Sequence, residues 1–378
     1  MVDTVMMSEH AEKIEAWFDN RWKETPAPLT SSVDIRDAGF KCSVVDTNLF
    51  PAGFNNLDAS ARLKAADAFR AFFADKPRIS SFLIIPEAHT RNPHYAQSVQ
   101  VLKNIVHTAE YEVHVLKGPI HRVEDHLVSD GVTPSALILN NDLSEGIPDE
   151  LQGLAQPVYP TLKLGWSHRL KSSHFEQMDG VIDEFSAHMG IDAWRLNPLF
   201  SVVDGIDFMQ NKGLDVLAMA ADEMLVRIRQ HYDQQGISET PFLVIKADNG
   251  TYGMGVMMIH EGATLLTLNR KQRTRMSARK GSQPVTRVLL QEGVPSVLKH
   301  TNQAVMEPVM MMIGSVVVGG FYRVHDGRGA DDNLNSPGMY FEPMVDVYDS
   351  PQFYGYGVVA RLAALAAARE IQSVGGVL

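Results

Sequence analysis

The sequence predicts a mixed fold, α/β in its first half and α+β in its second, and three observations carry that reading. Between residues 79 and 142 the apolar runs ISSFLIIPE, YEVHVLKG and SALILNND surround the helix-patterned HYAQSVQVLKNIVHTA, the rhythm of a mostly parallel sheet covered by helices. Beyond residue 240 the strand-like runs FLVIKAD, GVMMIH, RVLLQEGV and VMEPVMMMIGSVVVGGFYRV follow with little helix between them. The first of these runs delivers Lys246 and is followed by glycines at 250, 253 and 255. Glycines let backbone N–H groups approach an anion closely, and a strand lysine adds a fixed positive charge, so the segment suits a polyphosphate.

The elements follow in order. Residues 9–23 have helical spacing, with Ile14, Trp17, Phe18 and Trp22 available to one face, and Pro26 and Pro28 stop the helix. SVDIRDAG and KCSVVDTNLF read as strands joined by a turn around Gly39. A helix is expected from about 60 to 75. After the α/β run, periodicity is weak from 151 to 197, and a long amphipathic helix is expected over 207–234. GVVARLAALAAAREI, residues 357–371, reads as a packed terminal helix. The expected organisation is an N-terminal helix and strands (1–60), a parallel-sheet substrate lobe (61–200), a nucleotide lid lobe (201–292) and a C-terminal catalytic lobe (293–378). No internal repeat, low-complexity segment or flexible linker stands out.

At 378 residues the chain can bury a large core, and 45% hydrophobic with 21% charged residues is ordinary for a globular protein. The formal charge of -11 argues against general nucleic-acid binding, because the summed field repels a phosphate backbone. One cysteine, Cys42, excludes an internal disulfide framework and suits a reducing cytosol. No apolar run is long enough to span a bilayer and the N-terminus lacks a signal-peptide pattern, so a cytoplasmic protein without a membrane partner is expected.

In a Walker loop the lysine closes the glycine motif, and in a protein kinase it sits on a later strand, so neither template fits Lys246. A strand lysine ahead of a glycine-rich loop is the arrangement of ATP-grasp ligases, and other stations resemble that fold in order. HRLKSSHFEQM resembles the segment giving the first nucleotide lysine, here Lys171. RVLLQEGV lies where such proteins keep the hinge that pairs with adenine, offering Gln291 and Glu292. FYRVH and DDNLNSPG resemble the arginine and substrate loop of glutathione synthetases, offering Arg323, Asn333 and Asn335. DTNLFPAGF resembles the metal motif of the circularly permuted eukaryotic-type glutathione synthetases, with Asp46 and Asn48 two apart, and Arg36 falls at that family's substrate-binding arginine. Over nearly the whole chain the sequence resembles the proteobacterial ATP-grasp glutamate-cysteine ligases, with KADNGTYGMGV and LKLGWSHRLKSSHFEQMDG its most distinctive strings. It departs from the synthetase pattern at Asp248, where a loop glutamate is expected, and at Pro337, which interrupts a glycine-rich turn.

The resemblance implies an ATP-grasp fold, circularly permuted, and an ATP- and Mg²⁺-dependent ligase joining glutamate to cysteine through an acyl phosphate. ATP would be held by Lys171, Lys246, Gly250, Tyr252, Gly253, Gly255, Gln291 and Glu292. Arg323 and Lys246 would be catalytic, Asp46, Asn48 and Asp248 would hold metal, and Arg36, Asn333 and Asn335 would bind substrate. Phosphoryl transfer needs alignment and charge neutralisation more than a protein nucleophile, which suits this inventory of cations and hard oxygen ligands. Glutathione synthetase, or another carboxylate-amine ligase, shares the same nucleotide machinery. A nucleotide-sensing or RNA-binding module using the basic run NRKQRTRMSARKG is the reading from a different class. Oligomeric state is left open, a homo-oligomer included.

Each residue also has a plainer reading. Lys246 could be an exposed strand lysine, Asp46 and Asn48 could turn the chain before Pro51, and Arg36 could pair with Asp37 on the surface. Lys171 with Ser172, Ser173 and Glu176 makes a plausible helix start, and Glu292 and Glu307 could be solvated strand-end acids. His89 and His94, like His121 and His126, lie five apart, which misses the spacing of two ligands on one helix face. Cys42, in an apolar strand, reads as a buried inert thiol.

Overall fold

The computed structural model describes residues 4–87, 92–250, 255–277 and 285–376. Tyr252, Gly253, His89 and the end of the basic run lie outside the described residues. The chain opens with α1 (Thr4–Glu9) and α2 (Ala11–Glu24), then the hairpin β1 (Thr30–Asp37) and β2 (Cys42–Asn48). Next come α3 (Ala59–Phe73), β3 (Ser81–Pro86), α4 (Pro93–Thr108), β4 (Glu112–Val115), β5 (Arg122–Val123), β6 (His126–Leu127), β7 (Ala136–Asn140) and β8 (Val158–Tyr159). α5 (Lys171–Met189) leads to β9 (Phe200–Asp204), α6 (Leu214–Gln235), β10 (Leu243–Ala247) and β11 (Val256–Ile259). After α7 (Ala263–Leu266) and α8 (Arg270–Ser277) follow β12 (Arg287–Glu292), β13 (Val305–Ile313), β14 (Val316–His325), β15 (Tyr340–Pro343) and α9 (Pro351–Ser373).

Mixed α/β architecture is what forms. The sheet β4-β3-β7-β8 is parallel throughout, and its buried strands carry the continuous apolar runs expected of a sheet covered on both faces. The other two large sheets are antiparallel. β11-β10-β12-β9 packs Leu243, Ile245, Ile259, Val288 and Leu290 onto α6. β15-β14-β13-β1-β2 joins strands from the two ends of the chain. One face of that sheet, with Val33, Ile35, Val44, Met310 and Met312, packs on α9. Tyr356 and the run 358–368 of α9 are almost wholly buried, which is why its apolar residues run all round the helix. Arg361 is tolerated there because Glu15 accepts from its Nη1 and Nη2 at 2.6 and 2.8 Å and the ring of Phe18 lies beneath it.

Local signals fix most boundaries. Asp58 caps α3 by accepting from Ala61 N at 2.7 Å, and Ser350 caps α9 ahead of Pro351. The β1–β2 turn places Gly39 at φ +77°, with its N–H donating to Asp37. Three departures from expectation have physical causes. α5 fills the stretch of weak periodicity: Phe175, Met178, Ile182 and Phe185 form its buried stripe, but Gly180 interrupts the pattern and Leu170 at the N-cap gives no capping signal. α6 starts at Leu214 rather than 207, because Gly213 at φ +72° ends a preceding turn. β9 and β15, of five and four residues, are too short to announce themselves.

Candidate active site

The two antiparallel sheets face each other across a cleft that takes in about 790 Å³, open mouth included. From the end-joining sheet, Asp34, Arg36, Asp46, Glu307 and Arg323 line it. They share one face because side chains two apart point the same way and paired strands keep opposed residues together: Asp34 is opposite Asp46, and Glu307 is opposite Arg323. From the other sheet come Val244, Lys246, Val256, Met258 and Gln291, an apolar wall with one lysine and one amide.

A β-bulge between Asp34 and Ile35 gives β2 an extra residue, Val45. Its freed carbonyl accepts from Lys246 Nζ at 2.7 Å, while Gln291 Oε1 accepts from the same Nζ at 2.6 Å. Burial pulls the Lys246 ammonium down to about 8, against the opposing attraction of Asp46. Lys171 Nζ donates to Asp46 Oδ1 at 2.6 Å and lies 4.5 Å from the centre of the Trp166 ring. Burial alone would raise Asp46, but Lys171, Lys246 and Arg169 outweigh it and hold the carboxyl at about 2; 41% of that side chain stays exposed to the cleft.

At the far end of the charged face Glu307 receives Arg36 Nε and Arg323 Nη1, and Asp34 Oδ2 receives Arg323 Nη1 at 2.9 Å. Burial would raise Glu307, but the two arginines bring it below the usual carboxylate range. Asp34 is raised, by burial first, with Arg323 opposing and Glu307 and Asp46 reinforcing. Two buried donors of lining residues, Gln291 Nε2 and Arg323 Nε, have no acceptor among the described residues.

The structure thus brings Lys171, Lys246, Gly250, Gln291, Glu292, Asp46, Arg36, Arg323, Asn333 and Asn335 to one cleft. Gly255 sits just before β11 at φ +62°. Three of the expected roles do not fit the geometry. Asp248 is fully buried, and its carboxylate accepts from Ser172 N, Ser172 Oγ and Arg287 Nε, all at 2.7 Å, leaving no face for a metal. Asn48 folds its amide back on Phe50, accepting from its N and donating to its O, so it turns the chain as in the plainer reading. Arg36 is not free for a bidentate grip on substrate: besides Glu307, it donates to Ala330 O at 2.8 Å and Asp332 O at 2.7 Å, fastening the loop that carries Asn333 and Asn335. The Glu292 carboxylate is likewise occupied, by Lys41, Trp194 Nε1 and Leu199 N.

Other residues escaped the sequence reading. Asp34 lies two before Arg36 in VDIRD, and that period-two spacing was a usable signal. Arg169, Glu370 and Lys41 had none, since their partners are remote in sequence. Arg169 donates to both Glu370 oxygens at 3.0 and 2.9 Å and to Thr47 O at 2.8 Å, beside Asp46. Cys42 is buried with its thiol pushed up by burial and by Asp37, as the inert reading expected. Among the described residues no group of three or more His, Cys, Asp or Glu side chains is arranged to hold a metal, and no helix is long and apolar enough to cross a membrane.

A cleft lined by interleaved carboxylates and cations, clamped between two antiparallel sheets and beside a parallel-sheet lobe, defines the candidate active site of an α/β enzyme. The glutamate-cysteine ligase profile matches residues 4–118 and 114–371. The crystal structure of a provisionally named gamma-glutamylcysteine synthetase from Methylobacillus flagellatus KT is 42% identical, covering 97% of this chain and 95% of that one with a TM-score of 0.88. The chain belongs to the glutamate-cysteine ligase family. A glutathione synthetase like-effector (GSS30) from Globodera pallida is 9% identical over 84% of this chain and 75% of its own, at a TM-score of 0.39. D-alanyl-alanine synthetase A from Vibrio cholerae is 9% identical over 75% and 81%, at 0.34. Both are too distant to argue from. No curated protein matches the chain.

Proposed function

We propose that the cleft binds ATP, glutamate and cysteine and joins the γ-carboxylate of glutamate to the amine of cysteine, releasing ADP and phosphate. Family membership supports the reaction. The observation that carries the site is the convergence of Lys171, Lys246 and Arg323 on one cleft with the part-open carboxylate of Asp46, an arrangement suited to phosphate oxygens and a divalent ion. The facing sheets agree with an ATP-grasp reading, and the meeting of residues 30–48 with 305–343 in one sheet is what a permuted grasp requires.

A carboxylate oxygen is a poor leaving group. Its attack on the γ-phosphorus of ATP, with ADP leaving, makes an acyl phosphate; the amine then adds at the carbonyl carbon and the carbon–oxygen bond breaks as phosphate departs. The protein aligns the groups and neutralises charge. Lys171 and Lys246 hold phosphates, Arg323 spreads charge on the transferred group, and Val244, Val256 and Met258 offer an apolar wall to the base. Arg36 serves the substrate end by fastening the Asn333 and Asn335 loop. Mg²⁺, when bound, would neutralise phosphate charge. The donor set fits it: Asp46 offers a part-open carboxylate, and this ion is commonly held by one or two carboxylates plus phosphate oxygens. ATP use and a lone buried cysteine favour a cytoplasmic setting.

Phosphate release tests the reading. Release with glutamate plus cysteine is expected; release only with γ-glutamylcysteine plus glycine would make the protein a glutathione synthetase. No release with either pair would sink the ligase reading.

A further inference from the structure

α5 begins without a cap of its own. Its N-cap residue is Leu170, whose side chain cannot accept a hydrogen bond, so the first N–H groups of the helix need acceptors from elsewhere. They find them on Asp248, just past the end of β10 in the facing sheet. Lys171 N donates to Asp248 O at 2.8 Å and Ser172 N to Asp248 Oδ1 at 2.7 Å. Ser172 Oγ and Arg287 Nε donate to Oδ2, and Asp248 N donates back to Arg287 O. A carboxylate at a helix N-terminus is favoured by the helix dipole, and Arg287 balances the buried charge. Lys171, the residue whose N–H is bound, points its ammonium at Asp46. Lys246, two residues before Asp248, reaches Val45 O on the same strand as Asp46.

We infer that Asp248 is a positioning residue: it clamps the first turn of α5 to the end of β10, so that Lys171 and Lys246, from separate parts of the chain, hold a fixed spacing over Asp46 for the phosphates of the nucleotide. This rests on the ATP reading above, and it gives Asp248 a role other than metal ligation. Because the clamp acts through Lys171, losing it weakens nucleotide affinity and leaves the metal requirement alone.

The test is direct ATP binding by calorimetry at saturating Mg²⁺, with a separate Mg²⁺ titration of the wild type and variants. Asp248→Asn keeps the shape but turns an amide donor toward Arg287 Nε. ATP binding should weaken about tenfold, the effect of roughly one charge-assisted hydrogen bond, with the Mg²⁺ midpoint unchanged. The pair Asp248→Asn with Arg287→Gln restores an acceptor opposite that amide and should recover affinity to within about threefold of wild type. Should Asp248→Asn fail to fold, Ser172→Ala removes only the hydroxyl donor and should weaken ATP by about threefold. Wild-type ATP affinity in Asp248→Asn, or in Ser172→Ala where only that variant folds, would overturn the inference. So would a shifted Mg²⁺ midpoint, or absence of rescue by the second substitution. A wild type that binds no ATP would sink the nucleotide reading itself, a result distinct from a wild type that binds ATP and a variant that binds it equally well.

Discussion

Lys246→Met is expected to move stability and nucleotide binding in opposite directions. Burial in the cleft brings the ammonium from the usual 10.5 down to about 8 despite Asp46 nearby, so holding it charged at pH 7 costs about 3 kcal/mol relative to the unfolded chain. Since the folded value is the lower one, that cost is full below about pH 8 and is relieved as pH rises toward the ordinary lysine value. Methionine removes the charge but leaves Val45 O and Gln291 Oε1 without their donor, at about 1 kcal/mol each. The net expectation is a gain of about 1 kcal/mol at pH 7, vanishing or reversing near pH 10. Against this, the lost charge-assisted bond to phosphate should weaken ATP by about 1.5 to 3 kcal/mol, on the order of 10- to 150-fold. Urea unfolding at both pH values and calorimetric titration with ATP read the two effects separately. A variant that is destabilised at pH 7 and binds ATP as the wild type does would return Lys246 to the role of an ordinary strand lysine.

Asp46→Asn should raise the Mg²⁺ concentration for half-maximal phosphate release by about tenfold, the scale of one lost charged ligand contact; an unmoved titration would remove Asp46 from the metal site. Glu370→Gln should destabilise the protein by about 3 kcal/mol at pH 7, because it leaves the buried Arg169 guanidinium unpaired. Burial raises Glu370, but Arg169 and His174 hold it at about 2, so its contribution is present above the ordinary glutamate value and lost as pH falls toward about 2. Urea midpoints of wild type and variant should therefore converge on acidification, and a constant gap would contradict the ion pair. Arg36→Lys cannot reach Ala330 O and Asp332 O together, so KM for the amino-acid substrates should rise about tenfold while ATP affinity holds; an effect on ATP alone would place Arg36 at the nucleotide instead.

Strand-borne parts of the site were legible because a strand fixes direction with a period of two. Lys246, Gln291, Asp46 and Arg323 could be placed on strands from short apolar runs, and all four line the cleft. What could not be read were contacts closed by remote partners. Asp248 looks like a metal ligand until α5 is seen to lack a cap, and only the start of that helix was legible, at Ser172, Ser173 and Glu176, because Gly180 breaks its buried stripe. Arg36 looks like a carboxylate grip until the loop after β14 folds onto it. Lys41 and Glu292 meet only because the β1–β2 turn reaches the end of β12, and their complete burial follows from that meeting rather than from either local sequence.

Because β1 pairs with both β2 and β13 in one sheet, an emerging nascent chain makes its first cleft-lining hairpin long before the neighbour that completes it. Until Val305–Ile313 leaves the ribosome, the apolar Val33, Ile35 and Val44 have neither α9 nor β13 to cover them. Premature stop codons, even very late ones, should therefore yield aggregation-prone polypeptide rather than a partly working enzyme.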